Sequence, residues 1–404
     1  NDAYGHGTHV AGILAGNGHD SVSGYPTQYI GVAPNANIIN LRVLDANGLG
    51  TDSQVIAGIQ RAIQLKTTYN IRVINLSLGR GVYESYALDP VCQAVEAAWK
   101  AGIVVVVAAG NEGRNNDFGT QGYATIQAPG NDPNVITVGA TKTNGTPGRL
   151  DDTVASYSSK GPTLVDHVVK PDMVAPGNRI VSLASPGSTL VTSLISLNIQ
   201  PITTCVSSLL GSTCTAGLSG KYTRLSGTSM ATPIVAGAAA LMFQKDPTLT
   251  PDTIKARMMK TAWKGYPGNS WAYDVWGRSY FSQYDVFTIG AGYLDIYSSL
   301  KNNDVVNGGA PSPIAYRNTA TGKYSLMNSQ SITWGNSITW GSSIIWGNSI
   351  VWGGNAVLSD SIIWGDSIIW GDTTLSANSI IWGDSIVWGA DSLNALSDGE
   401  DGED

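Results

Sequence analysis

The chain has 404 residues, 42% of them hydrophobic, which is enough for one large domain or two ordinary ones around a substantial core. Only 13% of the residues are charged, the net charge is −7, and no basic stripe is present, so we expect no nucleic-acid partner. The longest apolar runs are much shorter than the roughly 20 residues of a membrane-spanning helix, so no such segment is predicted.

Apolar runs alternate with helical patterns in the first part of the chain. The predicted strands are 38–45, 73–79, 103–111 and 135–141. The third is apolar through Ala109, as expected where both faces of a parallel sheet are covered. Helices are predicted at 52–66, with Asp52 as the cap, and at 89–101. This alternation predicts an α/β fold with a doubly wound, mostly parallel sheet.

Two further helices are predicted, over 228–243 and over 251–264, the second opening on Thr250 and Pro251 as cap and first turn. The α/β domain is expected to end near residue 300. Residues 301–324 are rich in Asn, Gly and Pro and are predicted to be a linker.

A hexapeptide of the form S-I-I-W-G-D/N repeats from Ser331 onwards. Residues 331–390 hold ten units, eight of them with Trp, and residues 391–404 form an acidic tail. An even period keeps the two faces of a strand constant from unit to unit, which predicts a β-rich region over 325–390. A β-solenoid with one hexapeptide per side is favoured over a meander of short strands; disorder is the third alternative.

The chain has three cysteines. Cys205 and Cys214 lie nine residues apart, and a local disulfide, which would fit an oxidising compartment, competes with two free thiols. Cys92 lies in a helical pattern and is predicted to be a small buried apolar residue.

Three motifs carry candidate chemistry. His6 lies between two glycines in GHGTHVAGI (5–13), directly ahead of a helical pattern that is predicted to start at Thr8. Ser229, in LSGTSMATPIVAG (225–237), lies where a Gly-rich turn enters a helix, so its hydroxyl is near free N–H groups; such an alcohol needs an adjacent base, usually His. Asn111 follows a buried strand in VVVVAAGNEG (104–113), where its amide can donate to an oxyanion. Taken singly, Ser229 could be a helix cap and Asn111 a turn residue.

Together these motifs resemble the subtilisin-like serine proteases, the subtilase family. HGTHVAG, VINLSLG, AAGNEG and GTSMATP occur in the order of that family, with GVAP (31–34) and KPDMVAPG (170–177) in addition, and the resemblance covers about residues 1–300. It implies a serine endopeptidase that works through an acyl-enzyme, with Ser229 as nucleophile, His6 as general base and Asn111 as oxyanion donor. His9 of the same motif is implied to be structural.

The resemblance also implies a substrate cleft. One wall would be an edge strand that pairs with the substrate backbone, and the other would line the first specificity pocket. These residues are Ser77, Leu78 and Gly79 for the first wall and Ala108, Ala109 and Gly110 for the second. Neither wall contains an acidic residue, so cleavage after large apolar residues is expected rather than after Lys or Arg. The insertion between Gly177 and Ser229 is expected to shape the rim.

Two positions depart from the family pattern. Ile234 stands where the family usually has His, with little expected effect. The triad Asp of the family precedes the His motif on an earlier strand, and Asp2 is too close to His6 to be that residue. We therefore expect an N-terminally truncated chain with weak or no activity on its own. The alternatives are a partial sequence of an intact enzyme and a chain that is completed by a separate N-terminal piece.

The remaining expectations follow from the same resemblance. They are a secreted, extracellular monomer that acts on polypeptides, needs no cofactor for its chemistry, and lacks its propeptide in this chain. Structural calcium is common in the family; its site is not assigned, and Asp20, Asn131 and Asp132 are candidate oxygen ligands. A second hypothesis is a degenerate peptidase domain in a surface-display or binding protein whose Trp repeats carry the function.

Overall fold

The computed structural model describes most of the chain up to residue 317 and, beyond it, strand segments only. The described ranges are 2–22, 25, 27–116, 119–193, 199–208, 211–274, 276–306 and 308–317. Over 199–219 and after residue 315 the description is limited to the backbone.

A five-stranded sheet forms the centre of the α/β domain. Its strands are β1 (Val73–Leu76), β2 (Val104–Ala108), β3 (Ile136–Lys142), β4 (Thr153–Val154) and β5 (Met173–Pro176). β1, β2, β3 and β5 pair in parallel in that order, and the short β4 is antiparallel to the end of β3. All of β2 is buried, as its unbroken apolar sequence requires. The predicted α/β fold with a parallel sheet is confirmed.

Eight helices are described. They are α1 (His6–Ala15), α2 (Asp52–Tyr69), α3 (Pro90–Lys100), α4 (Thr189–Ser193), α5 (Thr228–Lys245), α6 (Pro251–Thr261), α7 (Val286–Ile289) and α8 (Ile296–Lys301); a 3₁₀ turn covers His19–Ser21. α5 packs along β1, β2, β3 and β5, while α3 packs on β2 and on α2. Small buried residues such as Ala236 and Ala239 let α5 lie close to the sheet.

Among the strands described before residue 300, two antiparallel units lie outside the central sheet. One contains β6 (Ile180–Leu183), β7 (Ile199–Ser208) and β8 (Gly211–Leu225) in the order β6-β8-β7; the other is the hairpin of β9 (Asn269–Tyr273) and β10 (Ser279–Gln283). The backbone register places Cys205 opposite Cys214. Their side chains lie outside the described residues, so the disulfide stays a prediction.

The predicted strand 38–45 is wrong, because the structure has no strand there. A strand needs a hydrogen-bonded neighbour, and no described strand lies beside this segment. Ile38 and Ile39 are 49% and 39% exposed. β1 is likewise an edge strand, and three of its four residues are only half-buried.

Helix α2 begins as predicted, but its cap is Thr51 rather than Asp52. The Thr51 hydroxyl accepts from Gln54 N, and the Gln54 side chain accepts from Thr51 N at 2.9 Å. This reciprocal pair is a capping box, which Asp52 cannot form because it is already helical.

The segment predicted to be a linker packs on the α/β domain over most of its described length. Val306 and Ala310 are buried together against Ala256 of α6. Ala310 N donates to Asp252 Oδ1 at 2.7 Å, and Ala315 is 8% exposed. The Asn, Gly and Pro content that suggested a flexible linker therefore belongs to an irregular segment with tertiary contacts.

Asp172 ties this segment to the core through a buried charge network. Its carboxylate accepts from Lys170 Nζ at 2.7 Å and from Ser312 Oγ at 2.5 Å, and it forms an ion pair with Lys255 Nζ at 3.2 Å. All three charged side chains are fully buried. Burial lowers the pKa of Lys255 to about 7, although the charge of Asp172 opposes this shift.

Replacing Asp172 by Asn is expected to destabilise the fold by about 3–5 kcal/mol, because it leaves two buried ammonium groups without a counter-charge. Urea unfolding followed by circular dichroism measures the loss. Glu84→Gln, at an exposed carboxylate, is the matched control. A loss for Asp172→Asn as small as that of the control would contradict the role of the network.

The described strands after residue 310 are short. They are β11 (Ile314–Arg317), β12 (Tyr324–Met327), β13 (Ile332–Trp334), β14 (Ile338–Trp340), β15 (Ile350–Val351), β16 (Val357–Ser359), β17 (Ile363–Trp364), β18 (Ser367–Ile369), β19 (Leu375–Ala377), β20 (Ile381–Trp382), β21 (Ser385–Val387) and β22 (Leu393–Ala395). The residues between them and residues 396–404 lie outside the described residues, so of the predicted acidic tail 391–404 only β22 is described.

Candidate active site

Helix α1 begins at His6, two residues earlier than predicted. Gly5 precedes it with φ +101°, in the left-handed region, and a Cβ at Gly5 would collide with the side chain of Ser188. Asp2 accepts from Gly5 N at 2.8 Å and from Thr8 N at 2.7 Å. Asp2 therefore fixes the first turn of α1 and with it the backbone position of His6.

His9 is held inside the protein. Its Nε2 lies 3.2 Å from the carbonyl oxygen of Ile180 and 3.1 Å from that of Thr223, so this nitrogen carries the proton and donates. Burial lowers the pKa of His9 to about 4. A neutral imidazole bonded to two backbone carbonyls joins α1 to the β6–β8 sheet and is not placed to act as a base.

The helix that carries His6 packs against the start of the helix that carries Ser229. Val10 and Ile13 of α1 form one buried cluster with Met230 of α5. His6 lies one turn before Val10, and Ser229 directly precedes Met230. The packing thus brings the first turns of α1 and α5 to the same region of the molecule.

Ser229 lies against the segment that follows β1. The Ser229 Oγ donates to the carbonyl oxygen of Ser77 at 3.4 Å, and the Ser77 Oγ donates to the carbonyl oxygen of Ser229 at 2.8 Å. Asn75 Nδ2 donates to the Ser77 Oγ at 3.0 Å. The side chain of Ser229 is half-buried and its bond to Ser77 is long, so the hydroxyl remains accessible.

Asn111 is oriented by the residue before the serine. Its Oδ1 accepts from Thr228 N at 2.9 Å and lies 3.2 Å from the Thr228 Oγ1, which also accepts from Gly110 N at 3.2 Å. These contacts occupy the oxygen of the amide and leave Nδ2, a donor, for a ligand. Thr228 was not predicted to be a positioning residue, although it lies in the GTSMATP motif.

The two predicted walls of the cleft meet at one side chain. A Cβ at Gly79 would lie 2.8 Å from Gln127 Oε1, and a Cβ at Gly110 would lie 2.8 Å from Gln127 Cγ. Gln127 N donates to the carbonyl of Ala109 at 3.0 Å. Gln127 therefore lies between the walls and contacts both, a position that only the fold reveals because the residue is distant in sequence from each wall.

The three candidate calcium ligands have other partners or are buried. Asp20 Oδ1 forms an ion pair with Lys221 Nζ at 3.0 Å. Asn131 is fully buried and accepts from the free, buried thiol of Cys92 at 3.3 Å. Asp132 is also fully buried, and burial raises its pKa to about 6. Among the described residues, no group of three or more His, Cys, Asp or Glu side chains is arranged to hold a metal ion.

The pKa of His6 is lowered by burial, and the negative charge of Asp2 partly offsets this effect. Asp2→Asn removes that charge, so the pKa of His6 should fall further. The imidazole titration, followed by NMR, would then shift to lower pH. Asp20→Asn, at an exposed carboxylate, should leave it in place. An unchanged or raised His6 pKa in Asp2→Asn would show that the charge of Asp2 does not act on His6.

A family model described as the subtilase family, Peptidase_S8, matches residues 1–292 of this chain. The chain belongs to the subtilase family. Its curated relatives include serine protease AprX of Bacillus subtilis, 44% identical over 263 residues, which are 63% of this chain and 52% of that protein. Subtilisin E of the same organism is 38% identical over 272 residues, 67% of this chain and 54% of the relative.

This subtilase chain spans about half the length of AprX and subtilisin E. A crystal structure of a cold-adapted subtilisin-like serine proteinase aligns with a TM-score of 0.43 and 31% identity, covering 64% of this chain and 68% of the other. None of the helices described for this subtilase is long and apolar enough to cross a membrane.

Proposed function

We propose that this subtilase is a serine endopeptidase that hydrolyses peptide bonds through an acyl-enzyme. The observation that carries the proposal is the contact between Asn111 and Thr228. It holds a side-chain amide donor beside the N-terminus of α5, whose second residue is the candidate nucleophile, Ser229. A donor preorganised next to a nucleophilic hydroxyl is the arrangement that stabilises a tetrahedral intermediate.

In the proposed reaction, the Ser229 Oγ attacks the scissile carbonyl while His6 takes its proton. The carbonyl oxygen becomes an oxyanion and accepts from Asn111 Nδ2 and from Ser229 N. Protonated His6 then gives its proton to the leaving amine, and water repeats the sequence to release the acyl group. His6 must be neutral before the attack, and the burial that lowers its pKa favours that form.

The third member of the triad is proposed to lie on a strand that precedes residue 1. Asp2 acts on His6 through its charge, but its oxygens accept from the first turn of α1. Among the described strands only β2 pairs with β1, and this open edge together with the exposed Ile38 and Ile39 supports a further strand beside them. Such a strand would complete the sheet and position a carboxylate to orient the imidazole.

Labelling with a fluorophosphonate tests this proposal. The chain is expressed together with the sequence that its gene encodes ahead of Asn1, and the labelled residue is identified by peptide mass spectrometry. We expect label on Ser229 alone and none in Ser229→Ala. An absence of label on Ser229 in folded protein would overturn the peptidase proposal and favour a degenerate domain in a binding protein.

The substrates are proposed to be extended polypeptides that pair with Ser77–Gly79 and place a side chain against Ala108–Gly110. The chemistry itself needs no cofactor. The absence of a carboxylate in these walls argues against strict cleavage after Lys or Arg, and the amide of Gln127 limits how deep a large apolar side chain can enter. Peptide libraries varied at the residue before the cleaved bond would rank these preferences.

The enzyme is proposed to be extracellular and monomeric, as its cysteine pair and family suggest; a relative from a Thermus strain is named an extracellular serine proteinase. The peptidase unit is proposed to extend past residue 300 to about residue 315, because the buried contacts of Ser312 and Ala315 belong to its core. The repeats over 325–390 are proposed to form a β-solenoid. For their role, a structural appendage is favoured over binding of carbohydrate or a cell surface through stacked Trp side chains.

A further inference from the structure

The repeat region has a second, longer period. From Ser343 three units of 18 residues follow one another, each made of two hexapeptides with Trp and a third without. They are SIIWGNSIVWGGNAVLSD (343–360), SIIWGDSIIWGDTTLSAN (361–378) and SIIWGDSIVWGADSLNAL (379–396). If all hexapeptides were equivalent, Trp would not be absent from every third one. The pattern therefore indicates that the third hexapeptide of each unit has a different structural role.

The strand pairing follows the same 18-residue period. Every parallel pair described in this region joins residues 18 apart in sequence. The pairs are Ile350 with Ile368, Ser367 with Ser385, Ile363 with Ile381, Val357 with Leu375 and Leu375 with Leu393. Each of the three parallel groups contains strands from one hexapeptide position only. They are β17–β20 for the first position, β15–β18–β21 for the second and β16–β19–β22 for the third.

We infer that these repeats form a three-sided parallel β-solenoid with 18 residues per turn, and that its Trp-free third side is the surface by which it is attached to the peptidase unit. Successive turns place the same hexapeptide above itself, as parallel pairing of identical strands requires. The two Trp-bearing hexapeptides form the other two sides. This deepens the solenoid proposal and does not depend on the enzyme being active.

The attachment follows from the sheet that contains the third side. β16 pairs antiparallel with β12, Ser325 lying opposite Leu358, and β12 pairs with β11. β11 begins where the chain is held to the peptidase core, since Ala315 N donates to the carbonyl of His167 at 2.8 Å. The order β11-β12-β16-β19-β22 is therefore one continuous sheet from the enzyme to the repeats.

The Trp pattern agrees with this assignment. Leu358, Ser376 and Asn394 stand where the first two hexapeptides of each unit have Trp. The third side, which continues into the sheet of β11 and β12, is thus the side that lacks Trp. Three turns spaced by about 4.8 Å extend only about 14 Å, so the repeats suit a compact module fixed to the enzyme better than a long spacer.

Distances between spin labels test the turn length. Ketone-bearing residues replace Val351 and Val387, so that the native cysteines are kept, and the doubly labelled full chain is measured by electron paramagnetic resonance. These positions are two turns apart in the solenoid, about 10 Å, but six strands apart in a meander, about 29 Å. The control pair, Val351 and Ile363, lies on different sides in the solenoid and only two strands apart in a meander. We expect the first pair to be closer than the control.

The reverse order of these two distances, or broad distributions for both pairs, would overturn the solenoid. The attachment is tested with one label at Val387 and one at Glu84 on the peptidase unit. Ser325→Pro removes a backbone donor from β12 and should broaden a narrow distribution, whereas Ser325→Ala should not. Two results would overturn the attachment. One is a broad 84–387 distance distribution in the chain without a substitution at Ser325; the other is an 84–387 distribution that stays narrow in Ser325→Pro while the 351–387 distance is unchanged.

Discussion

Ser229→Ala is expected to lower kcat by a factor on the order of 10⁶ in the active enzyme, the loss that the matching change causes in subtilisin. The hydroxyl is the only group in the proposed mechanism that forms the acyl bond, so its loss leaves just the acceleration that binding and the oxyanion donors supply. His6→Ala should cost about as much, because the serine cannot attack without a base. The double variant should be no slower than either single one, since the two residues act as a unit.

The measurement is hydrolysis of a fluorogenic peptide by the chain expressed with its upstream sequence. Ser226→Ala is the matched control, because Ser226 is exposed, lies just before the helix that carries Ser229, and accepts at its Oγ from Arg179 N at 2.9 Å. It should retain nearly full activity. Losses of Ser229→Ala and His6→Ala that multiply in the double variant would show that the two residues act independently, contrary to the proposed mechanism.

The sequence predicted the parts of the fold that local pattern determines. The unbroken apolar run of β2 and the amphipathic pattern of α2 gave elements close to the observed ones. Segment 38–45 also has a strand-like apolar pattern but forms no strand, because a strand depends on a neighbour that its own residues do not encode. The hydrophobic pattern of a segment therefore predicts that it can form a strand. Whether it does depends on a neighbouring strand elsewhere in the fold.

The linker prediction failed for a related reason. Composition reports how flexible a segment could be alone, whereas the buried Ser312 and Ala315 are held by contacts with residues more than 100 positions away. Gln127 was missed in the same way, since its place between the two walls arises from packing. Motif residues were easier to find, because a nucleophile or oxyanion donor requires a particular side chain in a particular turn.

Replacing Asn111 by Leu is expected to lower kcat by about 100- to 1000-fold with little change in KM, the cost that removing this donor has in subtilisin. Leu keeps much of the side-chain volume but cannot donate to the oxyanion, which exists only during the reaction. Stopped-flow and steady-state kinetics with a fluorogenic peptide separate kcat from KM. A rise in KM with unchanged kcat would instead make Asn111 a ground-state binding residue.

Thr228→Val tests whether the Thr228 hydroxyl positions the Asn111 amide. The substitution removes the hydroxyl that lies 3.2 Å from Asn111 Oδ1 but keeps the backbone donor at 2.9 Å, so the amide is loosened and not lost. One such bond contributes about 1 kcal/mol, which corresponds to roughly a fivefold lower kcat. In the Asn111→Leu background the same substitution should cost nothing further at the oxyanion. If Thr228→Val still lowers kcat fivefold there, the threonine acts by another route, and the amide is positioned mainly by its backbone contact.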